Sequence, residues 1–133
     1  VMKNDEALKN PRVIIIQKLY SFFLNKSNDI IFPKHRYKKF IKDVVNGAIE
    51  RKELIQNIIK KEFSSDINEK KTELMTKLMI TAAIYEFMYM HKTPVKVIIA
   101  EYLKVCDYFA GASQKKFLNA ILDKASKVTR TSS

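Results

Sequence analysis

Leu78-Met79-Ile80-Thr81-Ala82-Ala83-Ile84-Tyr85-Glu86-Phe87-Met88-Tyr89-Met90 is the most apolar stretch of the chain, and its reading decides the fold. At thirteen residues, with Glu86 inside it, it falls well short of the ~20 needed to span a bilayer. It therefore reads as the core of a long helix in a folded domain. The rest of the chain fits around such a helix. Only two glycines and three prolines occur in 133 residues. Apolar residues recur three and four apart rather than alternating, which is the spacing of helices with one buried stripe. No segment reads as a strand.

Working outward, Asn10-Pro11 reads as a helix start. Asn accepts a free amide hydrogen bond as N-cap, and Pro at the first position has no amide to leave unpaired. The first helix is expected from Pro11 to Leu24, burying Ile15, Ile16, Leu19, Phe22 and Phe23 and turning Arg12, Gln17 and Lys18 toward water. A loop over 25–32 leads to a second helix opened by Pro33. Its apolar face is Tyr37, Phe40, Ile41, Val44 and Ala48, and Gly47 is placed to bend or end it. A third helix follows through Ile49, Leu54, Ile55, Ile58 and Ile59 to near Phe63. Asp66-Ile67-Asn68-Glu69 has the form of a capping box, expected to start the long helix that runs to His91. Thr93-Pro94 repeats the cap-then-proline signal for a fifth helix, burying Val97, Ile98, Leu103 and Cys106 before Gly111. Ser113 is expected to cap a last helix with Phe117, Ala120, Ile121, Val128 and the stem of Lys124 on its stripe. Six to seven helices with short connections make an all-α bundle, two three-helix subdomains in a single domain spanning 1–133.

The sequence is 47% hydrophobic and 29% charged, the balance of a globular protein rather than a disordered or membrane one. Cys106 stands alone and cannot form an internal disulfide, and no apolar leader is visible, so a cytoplasmic location without a membrane is expected. A net charge of +11 points toward phosphate backbones or anionic membranes. Lys supplies 21 of the 25 basic residues and Ile occurs 16 times, the usage of an AT-rich coding sequence, so part of that charge is compositional.

His35 and His91 lie far apart without ligand company, so no metal site is expected. There is no GxSxG, P-loop, GxGxxG or HExxH pattern. The expectation is a protein that is not an enzyme and needs no cofactor. Cys106 on an apolar stripe reads as a packed small hydrophobe, and Met75, Met79 and Met88 to Met90 as core filler.

Charge placement at helix starts is more informative. The partial positive charge of a helix N-terminus favours Asp or Glu in the first turn and disfavours Lys. Asp66 and Glu69 obey. Lys34, His35 and Arg36 at the expected start of the second helix do not, nor do Lys115 and Lys116 at the start of the last. Cations gathered with free amides make an anion site of the kind an RNA phosphate occupies, and Lys-rich composition alone is the competing explanation. Tyr37 and Phe117 are candidate stacking faces for unpaired bases, or core residues.

Four segments resemble one known family. Pro94-Val95-Lys96-Val97-Ile98-Ile99-Ala100-Glu101 is similar to the NusB pattern of proline, Lys-Val, an apolar pair and Asn-Glu. Phe117-Leu118-Asn119-Ala120-Ile121-Leu122-Asp123-Lys124 looks like its Phe-Val-Asn-Gly-Val-Leu-Asp-Lys signature. Ile84-Tyr85-Glu86 resembles its Leu-Tyr-Glu, and Gln17-Lys18-Leu19-Tyr20 its Gln-Ala-Leu-Tyr. All four stand in family order between about Arg12 and Arg130. The chain departs from the pattern in a thin N-terminal basic cluster, Lys9 and Arg12, in Thr81 for Arg, and in Ala100 for Asn. Ser113 stands where an acidic residue can occur, and Ala120 replaces Gly.

The resemblance implies a transcription antitermination factor that pairs with the small-subunit ribosomal protein NusE. The heterodimer would bind boxA RNA of ribosomal RNA leaders within the RNA polymerase antitermination complex. Carried over by residue, the RNA surface comprises Lys9, Arg12, Gln17, Ser113, Gln114, Lys115, Lys116 and Phe117. Partner contacts fall on Thr76, Lys77, Glu86 and Tyr102, with Glu86 and Glu101 equally suited to anchor helices internally. The cluster at Lys34 to Arg36 has no assigned counterpart. Two alternatives stay open: an RNA-binding domain of a ribosomal RNA methyltransferase, and a protein-interaction module without RNA binding.

Overall fold

A computed structural model describes residues 4–25, 29–67, 72–109 and 112–130. Among the described residues there are seven helices and no strand: α1 (Asn4–Lys9), α2 (Pro11–Asn25), α3 (Lys38–Glu50), α4 (Lys52–Phe63), α5 (Leu74–Tyr89), α6 (Val95–Phe109) and α7 (Ala112–Thr129). The short α1 was not expected from the sequence. It stops at Asn10, whose Oδ1 accepts the Arg12 amide at 2.9 Å and so caps α2 as read.

α5 is the hub. Every residue from Leu78 to Phe87 is buried, because α2, α3, α4, α6 and α7 all pack on it. A helix covered all round has no polar face, which is why the stretch is apolar but for Thr81 and Glu86. α5, α6 and α7 pack on one another; α2 and α3 pack together and on α5, and α4 packs on α3 and α5. α5 thus belongs to both groups, joined by one continuous apolar core. α2 is also buried beyond a stripe, from Arg12 through Ile16, and Leu19. Arg12 therefore does not face water as expected.

Other departures have local causes. α3 begins at Lys38, not Pro33, since His35 Nδ1 accepts the Tyr37 amide at 2.9 Å, a side-chain bond that competes with helix formation. Tyr37 then lies outside the core, 47% exposed. Gly47 neither bends nor ends α3: the Tyr85 ring occupies the space a Cβ would fill. The break comes at Arg51, whose amide bonds the Gly47 carbonyl at 3.0 Å. Leu54, expected inward, is exposed. α5 starts at Leu74 behind Glu73 rather than at a capping box. Asp66 instead donates its amide to the Phe63 carbonyl at 2.9 Å, and its carboxylate accepts from Lys124 at 2.6 Å; Asn68 and Glu69 lie outside the described residues. On α6 the buried set is Ile98, Tyr102, Val105 and Cys106, with Val97 exposed. α7 already contains Ser113, so that residue is not its cap. Its buried stripe is Leu118, Ile121, Leu122 and Ala125, while Ala120 and Val128 are exposed.

Among the described residues no helix is long and apolar enough to cross a membrane.

Candidate functional site

The residues singled out by the sequence fall at two levels of α5. Near its C-terminal end Glu86 is fully buried. Arg12 grips its carboxylate with both prongs, Nε donating to Oε2 at 3.0 Å and one terminal nitrogen to Oε1 at 2.6 Å. The Tyr102 hydroxyl donates to Oε2 at 2.5 Å. The Arg12 guanidinium also lies over the Phe40 and Tyr102 rings, 4.9 and 5.6 Å from their centroids. Burial pulls the Arg12 pKa down, but the hydrogen bond to Glu86 and the neighbouring negative charges outweigh it and hold the guanidinium charged. Burial first, and the Glu86 carboxylate second, keep the Tyr102 phenol protonated well above its usual range. A buried carboxylate is tolerable here because donors cover both oxygens.

The same end holds Arg130, which the sequence did not single out. Its guanidinium donates to the carbonyls of Glu86, Phe87, Met90 and Thr93 at 2.6 to 3.0 Å. Glu86 and Phe87 belong to the last turn of α5 and Met90 and Thr93 to the turn after it. The Glu86 and Met90 carbonyls also accept the Met90 and Thr93 amides, so Arg130 clamps the end of α5 to the turn that follows. No local pattern signals this, since the partners lie 37 to 44 residues upstream.

At the opposite end, Thr76 donates to Gln114 Oε1 at 2.9 Å and locks the start of α7 onto α5. From this point Ser113 and Lys116 are exposed, and Lys115 and Phe117 half-buried. The first turn of α7 contains no acidic residue, as the sequence indicated. Lys115 Nζ is shared between both carboxylate oxygens of Asp107 at 3.1 Å. That pair is exposed and weak enough to be exchanged for another anion.

Thr76 and Glu86 are ten residues apart, about 15 Å along a helix axis, so the expected RNA residues do not form one cluster. Lys9 ends α1 in the open, Gln17 is half-buried on α2, and the set from Ser113 to Phe117 sits at the Thr76 level. Arg12 is buried, with its guanidinium bonded to Glu86. Of the four partner candidates, Thr76, Glu86 and Tyr102 are buried and bonded internally. Lys77 lines an open groove of about 510 Å³ between α4 and α5, with Gln56, Lys60, Ile80 and Thr81. No three or more His, Cys, Asp or Glu side chains among the described residues are grouped to hold a metal.

Residues 9–127 match the model of the NusB family. The chain belongs to the NusB family. It is 30% identical over 127 residues to the transcription antitermination protein NusB of Buchnera aphidicola subsp. Cinara cedri, covering 87% of each chain. The NusB of Pectobacterium carotovorum subsp. carotovorum is 28% identical over 134 residues, covering 93% of this chain and 94% of that one. The solved structure of T. maritima NusB superposes with a TM-score of 0.80 over 92% of both chains at 17% identity, a likeness of fold. The NusB-like motifs read in the sequence take up structural work in this chain. Glu86 anchors Arg12 and Tyr102. Glu101 pairs with Lys104 at 3.1 Å and stands 4.0 Å from Arg12. Lys124 ties α7 to Asp66 and covers the Phe63 ring at 5.6 Å.

Proposed function

We propose that this chain is a transcription antitermination factor that binds boxA-type RNA of ribosomal RNA leaders together with the ribosomal protein NusE, as an adaptor without catalysis. The observation that carries the reading is the family match across residues 9–127. It is supported by Lys115, Lys116 and the half-buried Phe117 ring at a helix start that holds no acidic residue. A helix dipole with two lysines in its opening turns suits a phosphate, and the ring offers part of a stacking face. The partner reading draws on the groove lined by Lys77, Gln56, Lys60, Ile80 and Thr81.

Only four arginines are present, and Arg12 and Arg130 are committed internally, so a composite surface with a basic partner would bind RNA better than this chain alone. A titration of labelled boxA-type RNA with and without the ribosomal partner tests this. A marked gain in affinity on adding the partner is expected. Equal affinity for chain and pair would remove the adaptor mechanism, and no binding in either case would remove the RNA reading.

A further inference from the structure

The loop over residues 33–37 has no role in the reading above, yet it is held in place. His35 is bonded through both ring nitrogens. Nδ1 accepts the Tyr37 amide at 2.9 Å, so Nε2 carries the ring hydrogen and donates to the Leu8 carbonyl at 3.2 Å. The His35 carbonyl in turn accepts the Lys38 amide at 3.2 Å. This strap sets the loop against the C-terminal end of α1, where Lys9 follows Leu8.

What the strap presents is cationic and aromatic. Lys9, Lys34, Arg36 and Tyr37 are all exposed. The Arg36 guanidinium lies 5.5 Å from the Tyr37 ring centroid, and the His35 ring lies 6.0 Å from it at 42°. Lys39, Lys104, Lys115, Lys124 and Lys127 each pair with a carboxylate, whereas Lys9, Lys34, Arg36 and Lys38 pair with none among the described residues. Unpaired cations around an exposed ring contribute nothing to the core. They match single-stranded nucleic acid, in which phosphates meet Lys and Arg while a base stacks on an aromatic face. An acidic peptide would use the cations but leave the ring without a role.

We infer that this strapped loop is a second RNA-contacting element, in which Lys34, Arg36 and Lys9 hold phosphates and Tyr37 stacks an unpaired base. The inference rests on the RNA-binding reading. The test is anisotropy titration of labelled single-stranded boxA-type RNA with the full chain plus its ribosomal partner, across a range of salt. Lys34→Gln with Arg36→Gln should weaken binding at least about five-fold and lower the salt slope by about two. Tyr37→Ala should also lose about five-fold or more with the slope kept, while Tyr37→Phe binds like the parent. His35→Ala keeps every charge and should lose several-fold by freeing the loop. If the parent chain binds no RNA, the RNA reading and the loop fall together. If the parent binds, Lys115→Gln with Lys116→Gln weakens it and the loop variants do not, the loop inference alone is overturned. Equal losses from Lys61→Gln with Lys92→Gln, exposed lysines away from both surfaces, would reduce the effect to bulk charge and overturn it as well.

Discussion

Around Glu86, at one end of α5, the charged groups turn inward: Arg12 and Tyr102 close on the carboxylate, and Arg130 closes on carbonyls of the end of α5 and of the turn after it. Around Thr76, at the other end, one neutral hydrogen bond docks Gln114, and the cations beside it face outward. The difference teaches that a charged residue in a family motif is no guide to a binding surface by itself. Glu86 and Arg12 are spent on holding α2, α5 and α6 together. Lys116 is exposed and Lys115 makes only an exposed pair with Asp107, so on the proposed function these two are the groups that would meet a phosphate.

If the Glu86 end is structural, removing one member of its ion pair should have the largest effect. Arg12→Ala leaves a buried carboxylate without its main partner and should cost about 3–5 kcal/mol in urea unfolding. The double variant with Glu86→Ala should lose well under the sum of the two single losses, because both remove the same interaction. Arg130→Ala removes the guanidinium that clamps the end of α5 to the turn after it and should cost roughly 1.5–3 kcal/mol by the same measurement. At the other end, Thr76→Val deletes a neutral bond and should cost about 0.5–1.5 kcal/mol, blurring the comparison only if it matched the loss at Arg12. Smallest of all, Lys115→Gln with Lys116→Gln should leave the melting temperature nearly unchanged. The exposed pair with Asp107 contributes about 0–1 kcal/mol, and relief of the opposing helix dipole offsets it by a similar amount.

Much of the fold was legible because helix signals are local. Spacing, Asn10-Pro11 and Thr93-Pro94 place α2 and α6 closely, and the apolar run at 78–90 marks the hub. The errors came where a tertiary partner or a single side chain overrode the pattern. Arg12 reads as solvent-facing until Glu86, 74 residues away, is brought against it. Lys34 to Arg36 read as a first helical turn, but His35 takes the Tyr37 amide and delays α3 to Lys38. The α7 stripe was read one residue out of phase, since Phe117 resembles an anchor while Gln114 on Thr76 sets the rotation. Of the candidate site, the absence of acid from the first turn of α7 was legible in the sequence. Asp107 and Arg130 act through pairings that no spacing rule reveals.

The division between the two ends is tested most directly by the salt dependence of boxA-type RNA binding, measured with the ribosomal partner present. Two charge-matched double variants are compared: Lys115→Gln with Lys116→Gln, and Lys104→Gln with Lys127→Gln, whose cations pair with Glu101 and Asp123 elsewhere on the surface. The first should bind RNA more weakly, with a salt slope flatter by up to about two phosphate contacts, and the second should bind like the parent chain. Equal losses in both would mean that the start of α7 is no site, and would contradict the assignment of RNA affinity to the open end of α5.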